Sequence, residues 1–101
     1  MQRTFQIDLV INGQRFRELV IDSHYEKKHG STVNDQIILE LIAALDGIEV
    51  ESDAVDESGF KYFVTQPHYF EGKPYRLVWL LPPDHRYLGI VNCYRRSHAK
   101  E

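Results

Sequence analysis

The first 21 residues contain two runs in which apolar and polar side chains alternate, the pattern of strands with one buried face. The runs cover 3–11 and 15–21 and are separated by Asn12 and Gly13. Both central residues of a type I′ turn have positive φ, and Asn-Gly is the pair that adopts this conformation most readily. The pattern therefore predicts a β-hairpin with strands at 3–11 and 15–21.

The next apolar pattern has the period of an amphipathic helix. Its apolar positions are Ile37, Ile38, Leu41, Ile42 and Leu45. Ser31 or Thr32 can cap the N-terminus, Asp35 suits the positive end of the helix dipole, and Gly47 is a typical stop. We predict a helix over 33–46.

The second half of the chain reads as strands joined by turns. Residues 49–57 are polar and acidic and suit a short edge strand, whereas 60–66 form an apolar strand that Pro67 should end. The runs 75–81 and 87–95 are joined by a turn containing two prolines and should pair as a hairpin.

Together these elements predict an α+β fold in one domain over 1–101. It has an N-terminal β-hairpin and one or two helices packed on an antiparallel sheet of about four to five strands. The second helix would be short, over about 23–29, with Ser23 as its N-cap and Gly30 as its stop.

Composition limits the cellular setting. The chain has 101 residues, of which 43% are hydrophobic, enough to form a core. Cys93 is the only cysteine, so no intramolecular disulfide forms and a reducing compartment is expected. No apolar run has the length of a membrane span, and no signal peptide opens the chain. We expect a cytoplasmic protein without a membrane partner, and the oligomeric state stays open.

The net charge of −3 is unevenly distributed. Residues 1–32 carry +1, residues 33–60 carry −8, and residues 61–101 carry +4. Such a chain can form a dipolar molecule whose basic side attracts a polyanion, although an acidic face that only maintains solubility explains the middle block equally well.

Proton-handling and cationic side chains are concentrated in three places. The first is the HYEKKHG segment at 24–30, which contributes His24, Tyr25, Lys27, Lys28 and His29. The second contributes His68, Tyr69, Lys73, Tyr75 and Arg76. The third, at the end of the last strand, contributes Asn92, Tyr94, Arg95, Arg96 and His98. Histidines beside lysines in a turn are also common as solvated surface, so each group has a purely structural interpretation.

These residue types are sufficient for RNA cleavage by the ribose 2′-hydroxyl, which requires a base, an acid and cations for the charge on phosphorus. We expect no metal site, because His24 and His29 are five residues apart and would not share a helix face. We expect no cofactor, because the chain has no glycine-rich phosphate loop. Cys93 lies within a predicted strand and reads as a small buried apolar residue.

The order of the parts resembles a family. The segments SHYEKKH, VNDQIILELIAAL, GKPYRLVWLL and YLGIVNCYRR are similar in layout to the small bacterial toxin ribonucleases of the barnase, EndoU, colicin and RelE-type fold. The resemblance covers residues 22–96. It implies an RNA substrate, metal-independent cleavage and a cognate antitoxin protein as partner.

The resemblance also implies roles for particular residues. His24 and His29 would be the base and acid, Arg76 would be the cation on a central strand, and Tyr94 would complete the catalytic set. The implied RNA-binding residues are Lys27, Lys28, Lys73, Arg95 and Arg96.

The alternative is a non-catalytic protein-interaction module, antitoxin-like, immunity-like or regulatory. It would use the acidic segment 49–57, the N-terminal hairpin or a sheet edge to bind a partner. The acidic block favours this alternative.

Overall fold

A computed structural model of the protein describes residues 2–22, 25–26 and 32–96. Within these residues, six strands form one sheet in the order β1-β2-β6-β5-β4-β3, and one segment is an α-helix. The elements are β1 (Gln2–Ile11), β2 (Gln14–Asp22), α1 (Asp35–Ala43), β3 (Ala54–Val55), β4 (Lys61–Phe70), β5 (Lys73–Leu81) and β6 (Leu88–Arg95). In this part of the chain, no helix is both long and apolar enough to cross a bilayer.

The predicted fold class, α+β with one or two helices on an antiparallel sheet of about four to five strands, is wrong. The described chain is mostly sheet, and the sheet is mixed because β6 returns beside β2 and runs parallel to it, with Ile21 opposite Ile90. Alternating side chains identify strands but do not specify which strands pair, so the sequence pattern did not reveal this crossover. Of the short helix predicted over 23–29, only Tyr25 and Glu26 lie within the described residues.

The N-terminal hairpin is confirmed. Asn12 and Gly13 have φ values of 53° and 77°, as a type I′ turn requires, and β1 pairs antiparallel with β2. The β5–β6 hairpin is also confirmed, with Leu77 opposite Cys93.

The predicted helix is present but shorter than 33–46. It begins at Asp35, and its cap is Asn34 instead of Ser31 or Thr32, because the Asn34 side chain accepts a hydrogen bond from the backbone N–H of Ile37 at 2.9 Å. Three of its residues, Ile38, Leu41 and Ile42, are buried.

Pro67 does not end its strand. β4 continues to Phe70 through a bulge between Thr65 and His68, where Gln66 and Pro67 have no register partner on β5. Proline lacks only a backbone donor, and a bulge is a place where the ladder does not need one. The chain after Pro67 is therefore strand up to a tight turn at Glu71 and Gly72.

One face of the sheet packs against α1 and forms the core. The Phe63 and Trp79 rings stack there with centroids 4.2 Å apart, and Leu77 is fully buried among the same residues. Leu41 and Ile42 of α1 belong to this core. Burial of these apolar side chains is the main favourable term in the stability of the sheet.

The opposite face, called the second face below, carries the side chains that alternate with the core residues. These side chains are partly exposed. Listed from β2 to β4 they are Val20, Asn92, Tyr94, Arg76, Val78, Leu80, Tyr62 and Val64.

Candidate functional site

Arg76 and Tyr94 form a fixed pair on the second face. The two residues are directly opposite each other on β5 and β6. Arg76 Nη1 donates a hydrogen bond to Tyr94 Oη at 2.9 Å, and the guanidinium carbon lies 5.9 Å from the centroid of the Tyr94 ring. A cation over an aromatic face is attracted by the electrons of the ring. The pairing of β5 with β6 and this hydrogen bond thus hold the guanidinium in one position. Arg76 and Tyr94, both predicted as catalytic residues, are in contact in the structure.

Arg76 retains hydrogen-bonding capacity. Its Nε is buried and has no hydrogen-bond partner within the described residues. Buried donors are nearly always satisfied by protein groups or by ordered water. A guanidinium has five N–H donors arranged as a fork that matches phosphate and carboxylate oxygens. The arrangement is suited to binding an anion.

Three further predicted residues lie at the same end of the sheet. Lys73 opens β5 opposite Phe70, Arg95 is opposite Tyr75, and the backbone N–H of Arg96 donates to the Pro74 carbonyl at 2.8 Å. The turn between β4 and β5 and the end of β6 therefore meet here. Together with Arg76, these residues place four cationic residues at one end of the sheet, but Lys73 and Arg95 share the face of Tyr75, whereas Arg76 is on the second face.

An exposed aromatic ring accompanies the cations. Tyr69 is 61% exposed, and with Pro67, Pro74 and Arg96 it lines a small pocket of about 150 Å³. Arg96 Nη1 donates to Gln66 Oε1 at 3.3 Å. Exposed tyrosines beside arginines are the usual platform on which unpaired nucleobases stack.

His68 and Tyr75 lie on the opposite side of this end. His68 Nε2 is 2.7 Å from the carbonyl oxygen of Leu41 in α1, and Tyr75 is only 3% exposed. These two members of the second predicted group therefore serve packing between the helix and the sheet, because their side chains face α1.

The four predicted site residues of the HYEKKHG segment, His24, Lys27, Lys28 and His29, lie outside the described residues. Because β2 and β6 are parallel, β2 runs toward the end of the sheet at which β6 finishes. Ile21 is opposite Ile90, four residues before Tyr94, a distance of about 13 Å along the strand. The described residues of the segment, Tyr25 and Glu26, contact Asp35 of α1 and Arg3, so they lie on the α1 side of the sheet, whereas the Arg76–Tyr94 pair is on the second face.

Tyr25 is the buried anchor of this segment. It is 1% exposed, and its hydroxyl donates to Asp35 Oδ1 at 2.7 Å. Arg3 holds the same carboxylate with two bonds, from Nε at 2.5 Å and Nη2 at 2.8 Å, and Arg3 Nη2 lies 3.5 Å from Glu26 Oε2. The bidentate bond from Arg3 is the main reason that the pKa of Asp35 is below its ordinary value. Burial, and then the bond to Asp35, raise the pKa of Tyr25.

The sequence did not predict this anchor. Arg3 and Asp35 are 32 residues apart, and the sequence pattern indicates for Asp35 only a role at the positive end of the helix dipole. The one available signal was an aromatic residue in an otherwise charged segment.

Cys93 is buried, and burial raises the pKa of its thiol to about 12. It therefore lacks the thiolate that nucleophilic chemistry requires. In the described part of the chain, no three His, Cys, Asp or Glu side chains converge as metal ligands would.

Comparisons with protein-family models, with curated proteins and with solved structures found no match. The resemblance to toxin ribonucleases therefore rests on the residues and layout of this chain alone.

Proposed function

We propose that the protein is a metal-independent endoribonuclease that acts in the cytoplasm as the toxin of a bacterial toxin–antitoxin pair. The observation that carries the proposal is the Arg76–Tyr94 pair, held by a 2.9 Å hydrogen bond on the second face of the sheet. Lys73, Arg95 and Arg96 at the same end add the positive charge that an RNA backbone requires. The single cysteine supports a reducing compartment.

In the proposed reaction a general base removes the proton of a ribose 2′-hydroxyl, and the 2′-oxygen bonds to the adjacent phosphorus. The bond from phosphorus to O5′ breaks, and a general acid protonates O5′. The products are one fragment with a 2′,3′-cyclic phosphate end and one with a 5′-hydroxyl end.

We assign the acid and base to His24 and His29, whose ordinary pKa lies near neutrality. Arg76 would donate to the oxygens on phosphorus as their negative charge increases, and Tyr94 would keep the guanidinium aimed at them. The remaining cations, Lys27, Lys28, Lys73, Arg95 and Arg96, would bind flanking phosphates.

The test is cleavage of labelled RNA in excess EDTA. The wild type should cut, and Arg76→Ala should lower the rate constant by about 100-fold or more, the loss typical of removing one donor to a developing anion. Arg76→Lys retains the charge but loses the fork and should also be defective. Cleavage that persists when His24, His29 and Arg76 are all replaced by alanine contradicts the assigned site.

Arg86→Ala is the matched control. Arg86 is exposed in the β5–β6 connection and pairs with Asp84 at 2.8 Å, and it belongs to none of the groups above. Arg86→Ala changes the net charge by the same amount as Arg76→Ala, since each removes one positive charge. Equal loss of activity in the two variants would indicate a general charge effect and not a site.

A second candidate function is a binding module that uses the edge strand β3. The acidic segment 49–57 contributes β3, whose Val55 is 58% exposed, while nearby Val50 is 38% exposed. An exposed edge with apolar side chains between carboxylates suits a partner strand that alternates apolar and basic residues. A peptide alternating valine and lysine should perturb the backbone amides at 53–55, and unchanged binding after Glu51→Lys and Glu57→Lys would count against this candidate.

A further inference from the structure

A row of residues crosses three strands of the second face, at the end of the sheet where β6 finishes. Tyr69 of β4 is opposite Pro74 of β5, and the backbone N–H of Arg96 donates to the Pro74 carbonyl at 2.8 Å. Pro74 is two residues before Arg76 on β5, so alternation puts this row on the same face as Arg76. With Pro67, the residues of the row line the pocket of about 150 Å³. The pocket therefore lies directly beside the Arg76–Tyr94 pair.

Arg76 and Arg96 are close enough to bind one phosphate group together. Arg76 is opposite Tyr94, and Arg96 is two residues beyond Tyr94, so the two arginines are diagonal neighbours across β5 and β6. Diagonal neighbours on one face of a sheet are about 7–8 Å apart, which long side chains can span. An anion between the two guanidinium groups would remove the repulsion between their charges.

Both guanidinium groups retain donors for such an anion. Among the described residues, the guanidinium of Arg76 donates one hydrogen bond, to the Tyr94 hydroxyl, and that of Arg96 donates one, to the neutral Gln66 amide at 3.3 Å. A guanidinium has five N–H donors. In the same part of the chain neither group forms an ion pair with a carboxylate. Phosphate oxygens match the fork that these donors form.

Tyr69 supplies a flat aromatic surface beside the two arginines. Its side chain is 61% exposed, and it is the only aromatic one among the three large apolar side chains that are exposed in the described residues. Because Tyr69 is opposite Pro74, it is a diagonal neighbour of Arg76 across β4 and β5, again about 7–8 Å away. Unpaired nucleobases stack on such rings. A nucleotide with its base on Tyr69 thus has its phosphate within reach of Arg76 and Arg96.

The remaining lining of the pocket offers little that distinguishes one base from another. Pro67 and Pro74 have apolar rings and no backbone N–H. Stacking on an aromatic ring tolerates any sequence, because every base has a π face. In a duplex the faces of the bases are covered by their neighbours, so only an unpaired strand can use the Tyr69 ring in this way.

We propose that Tyr69, Arg76 and Arg96 form a subsite for one nucleotide of a single-stranded nucleic acid. The base stacks on Tyr69, the phosphate lies between the two arginines, and the subsite has little preference among bases. The inference rests on the ribonuclease function proposed above only in taking the bound strand as a substrate. Binding itself can be measured with a strand that the proposed reaction cannot cleave.

The experiment is fluorescence anisotropy with two labelled 2′-deoxy strands of equal length, one of thymidines and one of abasic sites. Both carry the same number of phosphates, and neither has the 2′-hydroxyl that the proposed cleavage requires. The wild type should bind the thymidine strand about tenfold more tightly than the abasic strand, the gain expected from stacking on one aromatic ring. A strand of deoxyadenosines should bind at least as tightly as the thymidine strand.

Three variants separate the base contact from the phosphate contact. Tyr69→Ala should lower the affinity for the thymidine strand to that for the abasic strand, whereas Tyr69→Phe keeps the ring and should bind normally. Arg96→Ala should weaken both strands equally and lower the slope of log affinity against log salt concentration by about one. Tyr87→Ala is the matched control, because Tyr87 is a partly exposed tyrosine just before the opposite end of β6.

Equal affinity of the wild type for the two strands, or binding unchanged by Tyr69→Ala, would overturn the subsite. Competition by polyglutamate as strong as that by the thymidine strand would also overturn it, since the surface would then bind any polyanion. Base-dependent binding in a protein that leaves RNA intact would support the subsite and refute the ribonuclease. RNA cleavage that Tyr69→Ala leaves unchanged, without base-dependent binding, would support the ribonuclease and refute the subsite.

Discussion

Two tyrosines in this protein donate to aspartates, one in buried and one in partly exposed surroundings. Comparing them tests how much the hydrogen bond from Tyr25 to Asp35 contributes to stability. Tyr25 is 1% exposed and donates to Asp35 at 2.7 Å. Tyr62 is partly exposed and donates to the exposed Asp56 at 3.0 Å. The perturbation is Tyr25→Phe, compared with Tyr62→Phe.

The expected magnitude follows from the contacts. Phenylalanine fills the same space as the Tyr25 ring, so no cavity forms, and Asp35 remains bonded to Arg3. Only the hydrogen bond to a charged acceptor is lost, and such bonds contribute about 1.5–3 kcal/mol to the free energy of unfolding. Tyr62→Phe should leave the stability unchanged within error, because water replaces the lost partner of Asp56.

The assay is urea unfolding followed by the fluorescence of Trp79, the only tryptophan, which is fully buried. The transition midpoint of Tyr25→Phe should fall while the slope with denaturant stays constant. If Tyr25→Phe loses no more stability than Tyr62→Phe, the anchor is not a buried charge-assisted bond and the reasoning fails.

The remaining predictions concern pH, the helix cap, the thiol and the core. The pKa of Asp35 is lower in the folded protein than in the unfolded chain. The ionised carboxylate therefore stabilises the fold fully above the unfolded pKa of about 3.9, and this contribution is lost as the pH falls through the folded pKa. The difference in unfolding free energy between wild type and Asp35→Asn, measured in urea, should therefore shrink in acid. Asn34→Ala removes the helix cap and should cost about 1 kcal/mol in the same assay, and a loss near zero would contradict the cap. Cys93 should react with a thiol reagent only as fast as the protein unfolds, since the native thiol is buried; rapid reaction of the folded protein would contradict its burial. Leu77→Ala leaves a cavity at the centre of the core and should cost about 2–5 kcal/mol by urea unfolding, whereas a cost below 1 kcal/mol would show that the core can collapse around it.

The sequence revealed the local features of the fold. Asn12-Gly13 predicted the hairpin, and the helical spacing predicted α1, because turn residues and periodicity act over a few positions. The parallel β2–β6 pair was not predicted, since the choice of a partner strand depends on burial across the whole sheet. The prediction that Pro67 ends its strand was also wrong, because the pattern does not reveal a bulge at which the missing backbone N–H of proline leaves no hydrogen bond unmade.

In the candidate site, too, the sequence indicates what local patterns determine and not the contacts between distant residues. Alternation along β6 is enough to put Tyr94 on the face opposite Cys93, and the register then places it against Arg76. The Arg3–Asp35–Tyr25 anchor depends on tertiary contacts between distant residues and left no pattern to read.

The most direct test of the central claim is incubation of the protein in EDTA with a single-stranded RNA and with the same sequence carrying 2′-deoxyriboses. The account predicts that the RNA is cut to fragments ending in 2′,3′-cyclic phosphate, that the 2′-deoxy strand stays intact, and that Arg76→Ala cuts neither. RNA that stays intact both alone and in a translating extract, or cutting of the 2′-deoxy strand, would contradict it.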